Sequence, residues 1–329
     1  MMVLADQRWV GAHGIGRFAH ETISRLKSPL VLREGPRVLS LSDAIWTSRQ
    51  IRLHQPDVYF TPGFNPPLRS HVPVAFTIHD LIHLSRYNPR RSSALLYYNT
   101  LITRAIRRGD MVLTVSEFSR QEILEWASKV GLHDHDVFVL GNGVGREFQP
   151  SGPIYPTQHP YVLCVSNAKP HKNLSRALRA FRMSKLASEC QFRLVCPHSD
   201  EPRVRRLVEG LHMREEVILM SGLSDDVLSS LYRGAVATVV PSVYEGYGLP
   251  AAEAGACDSR LALADIPALR EQKLEGAVYF DPFDVLSVCD GLEKAAGSEK
   301  PTREPGRNWD EVAAALESTL TTRSGVRTR

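Results

Sequence analysis

The sequence predicts an α/β protein built from two doubly wound domains, and three observations lead to this fold class. Short apolar segments with strand character alternate with helical patterns over residues 1–140, and the alternation starts again after residue 160. The intervening residues 141–160 contain four glycines and four prolines, a composition typical of a linker. Alternating strands and helices form parallel sheets covered by helices on both faces, and 329 residues suffice for two such domains.

We divide the chain accordingly into a domain of residues 1–150, a second domain of residues 151–308, and a C-terminal helix and tail at 309–329. Ligands of doubly wound sheets bind beyond the carboxyl ends of the strands. Two such ends facing each other would form a cleft, which is where we expect a functional site.

The first half begins with a buried strand, Met2–Ala5, which leads into the glycine-rich loop GAHGIGR at 11–17 and a helix. Apolar, β-branched and aromatic residues predict further strands in RVLSLS, DVYFTP, VAFTIHD and MVLTVSE. Helical patterns follow in SSALLYYNTLITRAIRR and SEFSRQEILEWASKV, and Ser116 is the predicted N-cap of the latter.

The second half repeats the same alternation. Its predicted strands are YVLCVS, FRLVCP, VILMS, ATVVPS, SRLALAD and AVYFDP. Its predicted helices are KNLSRALRAFRMSKLA, EPRVRRLVEGL, DDVLSSLYRGA and LPAAEAGA. WDEVAAALESTL is predicted as a last helix, and the tail TTRSGVRTR is predicted to fray.

The composition excludes several classes of protein. Its 43% hydrophobic and 23% charged residues are ordinary for a globular chain, and no apolar run reaches the roughly 18 residues of a membrane span. The N-terminus lacks the basic start of a secretory signal, and the five cysteines form no CxxC pair. We therefore expect a cytoplasmic protein with buried, reduced thiols.

The positive charge is concentrated in the first half. Residues 1–155 contain 18 Lys and Arg against 13 Asp and Glu, whereas residues 156–329 contain 22 against 23. The excess lies in a basic segment, residues 86–108, with the arginines Arg86, Arg90, Arg91, Arg104, Arg107 and Arg108. Such a segment suits phosphates or an anionic membrane surface. A solvated helix face explains the pattern equally well.

Two features of the first half have the chemistry of a binding site. Gly14 and Gly16 lie in a loop between a strand and a helix, where glycines allow close backbone approach and the helix N-terminus favours anions. Arg17 in the first helical turn could add charge to a bound phosphate. The spacing is not that of a dinucleotide fingerprint, and a tight turn would also explain it. His79 ends the strand VAFTIHD, so it points toward the expected site.

Lys172 in SNAKPHKNL stands where the first strand of the second half gives way to a helix. Pro170 and Asn173 mark the turn and the cap. A cation at a helix N-terminus is unfavourable with respect to the helix dipole. The position therefore predicts an anion between Lys172 and the helix end.

The stretch VYEGYGLPAAEAG at 243–255 places two glutamates around a glycine loop and a helix start. Pro250 favours a helix that begins near Gly248 or Leu249, with the free N–H groups of residues 248–252 as a phosphate cradle. Carboxylates accept hydrogen bonds from sugar hydroxyls, so Glu245 suits one sugar and Glu253 a ribose. The arrangement matches a nucleoside-diphosphate sugar.

Other interpretations of the acidic residues are weaker. As an acid–base pair for hydrolysis, Glu245 and Glu253 would leave the phosphate cradle without a purpose. The HDHD at 133–136 and the SDD at 224–226 lack a second cluster at metal-ligand spacing. We therefore predict no metal site.

The chain resembles the GT-B-fold glycosyltransferases of family 4. The resemblance covers nearly the whole length, through GIGRFAHE, IHDLIHL, VSEFSRQEI, GNGV…FQP, KPHKNL and EGYGLPAAEA. It implies a retaining transfer without a metal or a separate cofactor, between two Rossmann-like domains.

The same resemblance implies roles for individual residues. Glu245 and His79 would contact the transferred sugar, Glu253 would bind the ribose, and Lys172 would neutralise the leaving diphosphate. The backbone of Gly246, Tyr247, Gly248 and Leu249 would meet the diphosphate and sugar, and Gly14 and Gly16 would approach the diphosphate. Many relatives carry an arginine where this chain has Ser166 or His171. Lys172 then acts with less help, or Arg17 or another side chain supplies the second charge.

The subtype most resembled is the bacterial mannosyl- or rhamnosyltransferase group of surface polysaccharide synthesis. It implies a GDP-sugar such as GDP-mannose, a saccharide or lipid-linked acceptor and no nucleic-acid partner. The basic segment would then lie against the inner face of the cytoplasmic membrane. Two alternatives stay open: a nucleotide-sugar epimerase and a non-catalytic nucleotide-sugar-binding protein.

Overall fold

A computed structural model describes residues 1–11, 13–133, 135–304 and 306–324. The chain divides into two compact units. The first comprises residues 1–143 together with the chain from residue 307 onward, and the second comprises residues 144–306.

The first unit contains a parallel sheet of six strands in the order β2-β1-β3-β4-β5-β6. The strands are β1 Val3–Asp6, β2 Leu30–Leu32, β3 Val58–Thr61, β4 Val74–Thr77, β5 Met111–Thr114 and β6 Val137–Val139. Four of them are buried along their whole length, as expected for strands covered on both faces.

The helices of the first unit are α1 Gly14–Ile23, α2 Leu41–His54, α3 Arg91–Tyr97, α4 Thr103–Arg107, α5 Glu117–Lys129 and, from the C-terminal part of the chain, α12 Trp309–Ser324. Ser116 is the N-cap of α5, as predicted, and its hydroxyl accepts the Ser119 N–H at 3.0 Å.

The second unit contains a parallel six-stranded sheet in the order β12-β11-β10-β7-β8-β9. The strands are β7 Tyr161–Val165, β8 Gln191–Val195, β9 Val217–Met220, β10 Ala237–Val240, β11 Leu261–Ala264 and β12 Val278–Phe280. The helices are α6 Leu174–Met183, α7 Glu201–Gly210, α8 Asp225–Gly234, α9 Leu249–Ala256, α10 Pro267–Glu271 and α11 Val285–Gly297. This strand order is that of a doubly wound fold, which confirms the predicted fold class.

Three sequence predictions differ from the structure in the first unit. The first strand is shifted by one residue, to Val3–Asp6. RVLSLS is not a strand, because Ser40 caps α2 through the Asp43 N–H at 3.2 Å; the strand is Leu30–Leu32 instead. The long helix predicted within residues 92–108 is interrupted by a π-helical segment, Tyr98–Ile102, where the Thr103 hydroxyl donates to the Tyr98 carbonyl at 3.0 Å.

The predicted boundary at residue 150 falls inside the second unit. Phe148 is buried in that unit's core and packs against Tyr232 with ring centroids 6.0 Å apart. The buried guanidinium of Arg233 donates to the carbonyls of Gln149 and Pro153 at 3.0 and 2.9 Å. Because its own carbonyls are bound in this way, the Gly/Pro-rich segment after residue 144 is part of the folded unit.

The predicted C-terminal helix packs on the first unit. The Trp309 ring lies 6.3 Å from that of Phe18 in α1, and Arg25 forms an ion pair with Asp310 at 2.7 Å. The last part of the predicted tail, residues 325–329, lies outside the described residues.

Candidate active site

The strand order of the second sheet places two predicted motifs side by side. β7 and β10 are neighbours, and the chain winds outward from them in opposite directions. In doubly wound sheets, ligands bind at such a switch point, beyond the carboxyl ends of the strands. The loop after β7 contains Lys172, and the loop after β10 contains Glu245.

Lys172 and Glu245 form a close ion pair. The Lys172 ammonium lies 2.6 and 2.8 Å from the two carboxylate oxygens of Glu245, and the side chains are only 14% and 10% exposed. Burial alone would raise the pKa of Glu245. The charge and hydrogen bonds of Lys172, with a hydrogen bond from Ser242, nevertheless hold this pKa below its ordinary value. In this structure the anionic partner of the Lys172 ammonium is the Glu245 carboxylate, and a bound anion between Lys172 and the helix end stays a prediction.

Asn173 fixes the lysine loop to the end of the sheet. Pro170–Lys172 forms a 3-10 turn, and Asn173 takes the predicted cap position of α6 in a left-handed conformation. Its side chain does not cap the helix; its amide nitrogen donates to the carbonyls of Pro241 and Pro282 at 3.0 and 2.7 Å. These bonds join the loop after β7 to the ends of β10 and β12.

His171 precedes Lys172 in the same turn, and no sequence pattern indicates a role for it. Its carbonyl accepts the Val243 N–H at 2.8 Å, which connects the lysine loop directly to the glutamate loop. Its positive charge, when present, favours the Glu245 carboxylate. His171 is buried, and its backbone bond to Val243 is its contribution to the geometry of the site.

The glycine loop leads into α9 as predicted. α9 begins at Leu249, and Gly248 is its N-cap with φ +92°. The predicted cradle of residues 248–252 is smaller than expected, because Pro250 has no N–H and Ala251 and Ala252 donate to the Gly248 carbonyl. Within the described part of the chain, the N–H groups of Gly248 and Leu249 meet no acceptor. Gly246 is buried, and Tyr247 packs against the core.

Glu253 is more deeply placed than Glu245. It lies on α9 with 5% of its surface exposed, and its carboxylate accepts the Tyr232 hydroxyl at 3.3 Å. Tyr232 belongs to α8 and is fully buried. The two glutamates of the motif therefore have different partners, Lys172 for Glu245 and Tyr232 for Glu253.

The two glycines predicted to approach a diphosphate have different surroundings. Gly16 is buried, its N–H donates to the His13 ring at 2.9 Å, and a Cβ there would overlap the backbone of Gly11. Gly14 is exposed, and a Cβ there would have no atom within 4 Å. Arg17 is partly exposed in the first turn of α1. Packing alone thus explains why residue 16 is glycine, but it does not explain why residue 14 is.

Alanine substitutions should separate these two glycines. We expect Gly16→Ala to lower the unfolding free energy by about 1–3 kcal/mol through overpacking. Gly14→Ala should fold at least as well as the wild type, since alanine has the higher helix propensity. If Gly14 meets a diphosphate, Gly14→Ala should still weaken nucleoside-diphosphate binding about tenfold. Thermal unfolding and calorimetric titration provide the two measurements; unchanged affinity in Gly14→Ala would remove its predicted role.

His79 lies just beyond β4 and is held on several sides. Its Nε2 lies 2.8 Å from the Pro62 carbonyl, and the Phe18 ring packs edge-on at 4.9 Å. The Ser119 hydroxyl donates to the His79 carbonyl at 2.9 Å. Burial lowers the pKa of His79, which favours the neutral ring. With Nε2 donating to the Pro62 carbonyl, the neutral ring has Nδ1 as its acceptor.

The acidic motifs considered for metals have ordinary structural contexts. Ser224 of the SDD is the N-cap of α8, and Asp225 and Asp226 lie in its first turn. Asp134 of the HDHD lies outside the described residues. Among the residues that the structure does describe, no cluster of three His, Cys, Asp or Glu side chains is placed to hold a metal. The five cysteines are free thiols, three of them buried.

Two family descriptions together cover almost the whole chain. Residues 146–317 match "Glycosyl transferases group 1", and residues 7–148 match "Glycosyltransferase Family 4". The division between the matches, near residue 147, lies close to the boundary between the two structural units.

Curated relatives include mannosyltransferases of bacterial polysaccharides. The serotype-specific mannosyltransferase WbdA of Escherichia coli is 27% identical over 69% of this chain and 29% of its own length. The O-antigen chain mannosyltransferase RfbU of Salmonella typhimurium is 27% identical over 64% of this chain and 57% of its own length. The O-antigen chain mannosyltransferase B of Escherichia coli is 23% identical over 88% and 75%. The chain thus spans less than two thirds of the first two of these relatives.

Solved structures share the fold at low sequence identity. Sucrose-phosphate synthase from Thermosynechococcus elongatus has a TM-score of 0.73 at 15% identity and covers 98% of this chain and 99% of its own. WaaG, a glycosyltransferase of lipopolysaccharide biosynthesis, has a TM-score of 0.71 at 14% identity and covers 99% and 100%. HepE of Anabaena, in complex with UDP-glucose, has a TM-score of 0.69 at 13% identity and covers 98% and 95%. These likenesses confirm the GT-B fold class.

Proposed function

Because the chain belongs to the family of group 1 glycosyl transferases, we propose that it transfers a hexose from a nucleoside-diphosphate sugar to a saccharide or lipid-linked saccharide. The observation that carries this proposal is the Lys172–Glu245 pair at the switch point of the second sheet, in which Glu245 belongs to the loop that leads into α9. A cation, a carboxylate and N–H groups that have no acceptor among the described residues are suited to bind a diphosphate that leaves a sugar.

We propose mannose or rhamnose as the sugar and GDP as the leaving group. The names of the relatives support the sugar, since WbdA and RfbU are mannosyltransferases. Surface polysaccharide synthesis is the matching process, and a lipid-linked saccharide is the matching acceptor.

The proposed transfer proceeds with retention and without a metal. Lys172 and the N–H groups of Gly248 and Leu249 would stabilise the negative charge that develops on the diphosphate as the sugar–oxygen bond breaks. Glu245 would accept hydrogen bonds from sugar hydroxyls and would keep the lysine in place. Glu253 would accept from the ribose hydroxyls.

We keep the contacts with the sugar donor that the family resemblance implies for the first unit. Gly14, Gly16 and Arg17 would approach the diphosphate. His79 would accept a sugar hydroxyl at Nδ1, because its Nε2 donates to Pro62. These roles are predictions for mutagenesis.

Product analysis with several sugar donors tests the proposed function. Incubation with GDP-mannose and with other nucleoside-diphosphate sugars, with and without saccharide acceptors, should release free nucleoside diphosphate. Sugar isomerisation without release would favour an epimerase instead. Binding without any release, across donors and acceptors, would favour a non-catalytic binding protein. Addition of EDTA should leave the rate unchanged if no metal takes part.

We further propose that the basic segment, residues 86–108, binds an anionic membrane surface. Arg86, Arg90 and Arg91 are exposed, and Leu96 is 67% exposed. Arg108 is not part of this surface, because it pairs with Asp110 and donates to the Pro67 and Leu68 carbonyls. Within the described residues, no helix combines the length and apolar character that a membrane crossing requires.

A charge-matched pair of variants tests this membrane contact. Near an anionic surface each arginine contributes about 1 kcal/mol, so Arg86→Gln, Arg90→Gln and Arg91→Gln together should weaken binding about 100-fold. The control replaces Arg203, Arg205 and Arg206 with glutamine; these arginines are also exposed, in α7 of the second unit. Sedimentation with phosphatidylglycerol vesicles at low salt measures the membrane binding of both triple variants. Equal binding by the two triple variants, or none by the wild type, would contradict the proposal.

A further inference from the structure

Gln272 holds the glycine loop from outside the motif. It follows α10, in the connection between β11 and β12, and is 24 residues from Gly248. Its side-chain nitrogen donates to two consecutive backbone carbonyls, that of Tyr247 at 2.5 Å and that of Gly248 at 3.1 Å. One amide group thus uses both of its N–H bonds to hold two successive peptide units.

The position of these carbonyls fixes the direction of two N–H groups. In a trans peptide unit, the C=O and the following N–H point in opposite directions. The Tyr247 carbonyl shares its unit with the Gly248 N–H, and the Gly248 carbonyl shares its unit with the Leu249 N–H. Because Gln272 binds both carbonyls from one side, both N–H groups point to the other side. The N–H groups of Gly248 and Leu249 are the ones described above, which meet no acceptor among the described residues.

The same contacts explain why residue 248 is glycine. Its φ of +92° lies in the left-handed region, which side chains rarely adopt. A Cβ at this position would lie 2.5 Å from a methyl carbon of Leu269 and 3.2 Å from the Gln272 nitrogen. Gly248 therefore provides the space that Gln272 requires to reach both carbonyls.

The orientation of the Gln272 amide is determined by these bonds. Turning the amide over would place its oxygen against two carbonyl oxygens, which would be repulsive. In the observed orientation the amide oxygen is buried and has no hydrogen-bond partner in the described part of the chain. A buried polar atom without a partner has a free-energy cost, so the amide oxygen does not explain why residue 272 is a glutamine. The two hydrogen bonds from the amide nitrogen to the loop do explain it.

We propose that Gln272 is a positioning residue that presets a two-N–H site for the leaving diphosphate. It acts through the loop and touches neither the sugar nor the nucleotide. Without it, the peptide unit 247–248 can rotate and turn its carbonyl oxygen toward the phosphates, whereas the Gly248 carbonyl keeps its bonds from the Ala251 and Ala252 N–H groups and loses only one of its three donors. The inference rests on the proposed function, because it takes the diphosphate as the ligand of the loop.

Gln272→Met tests the inference, because methionine has a similar volume and donates no hydrogen bond. Calorimetry should show GDP and UDP binding about tenfold more weakly than to the wild type, a loss of about 1.4 kcal/mol. Binding of guanosine and uridine, followed by ligand-observed NMR, should stay unchanged because these ligands have no phosphate. Gln272→Glu provides a second variant of the same shape, and its carboxylate should weaken diphosphate binding more strongly. The control is Lys273→Gln at the exposed neighbouring position, which should bind like the wild type.

The possible outcomes separate this inference from the proposed function. Unchanged diphosphate affinity in both Gln272 variants would overturn the positioning role while leaving the transferase proposal intact. An equal loss for diphosphates and nucleosides would also overturn it, since that result indicates general damage to the site. If the wild type bound no nucleoside diphosphate, the proposed function would fail and this inference with it.

Discussion

Replacing Lys172 with methionine should lower the rate of sugar transfer about 10²- to 10³-fold, the typical effect of removing one group that stabilises developing charge. The ammonium lies at the switch point and binds both oxygens of Glu245, a residue of the loop that leads into α9. Because the diphosphate gains charge only as the bond breaks, the loss should appear mainly in kcat. Steady-state kinetics with the sugar donor that proves active measures it.

The same substitution should change the pH dependence of stability. Removing one partner of a buried pair costs about 3–5 kcal/mol, because the other charge is left without compensation. In the wild type the lowered pKa of Glu245 contributes stability that is lost as pH falls below its ordinary value of 4.5. In Lys172→Met, burial without the cation raises this pKa. The variant should therefore become less stable, relative to the wild type, as pH rises above 4.5.

The double variant Lys172→Met, Glu245→Gln separates stability from catalysis. It has no buried charge at this position, so its unfolding free energy should recover and its extra pH dependence should vanish. Its transfer rate should stay low, because the ammonium is still absent. A double variant with a recovered rate would show that Lys172 serves only to neutralise Glu245.

The sequence was most informative where one residue restricts the backbone. Pro250 fixes a φ that suits the first turn of a helix, and α9 begins at Leu249 as predicted. Ser116 caps α5 for a similarly local reason. RVLSLS was assigned wrongly because its apolar alternation suggested a strand, whereas the Ser40 hydroxyl caps the N-terminus of α2 there.

Contacts between distant segments required the strand order. The sequence pattern predicted that Lys172 and Glu245 each follow the carboxyl end of a strand. Their contact depends on the adjacency of β7 and β10, which the pattern did not predict. Gln272 was missed because no local pattern marks a glutamine that binds carbonyls 24 and 25 residues earlier. The partner of Glu253 was missed for the same reason, since Tyr232 reads as an apolar position of α8.

Replacing Glu253 with alanine should weaken nucleoside-diphosphate binding about 100-fold if its carboxylate binds the ribose. A hydrogen bond to a charged group contributes about 1.5–3 kcal/mol, and about 2.7 kcal/mol corresponds to a factor of 100. Glu253 lies on α9, one to two turns after the N–H groups of Gly248 and Leu249, which meet no acceptor in the described part of the chain. The nucleotide that is bound by its diphosphate at those groups would present its ribose near this carboxylate.

A nucleotide without ribose hydroxyls makes the test specific. The wild type should bind a 2′,3′-dideoxynucleoside diphosphate much more weakly than the ribose form, whereas Glu253→Ala should bind both forms equally. Such coupling between a side chain and the ligand groups it contacts is the signature of a direct interaction. If both proteins showed the same preference for the ribose form, Glu253 would not be its partner.

Tyr232→Phe tests whether the tyrosine hydroxyl orients Glu253, because it removes only the hydroxyl that donates to that carboxylate. Phenylalanine keeps the packing against Phe148, so the variant should fold. The carboxylate would lose one restraint and retain its charge, and we expect affinity for the ribose form to fall about threefold. The dideoxy form should be unaffected. A loss that is equal for both nucleotides would instead mean that Tyr232 supports the second unit as a whole and does not orient Glu253.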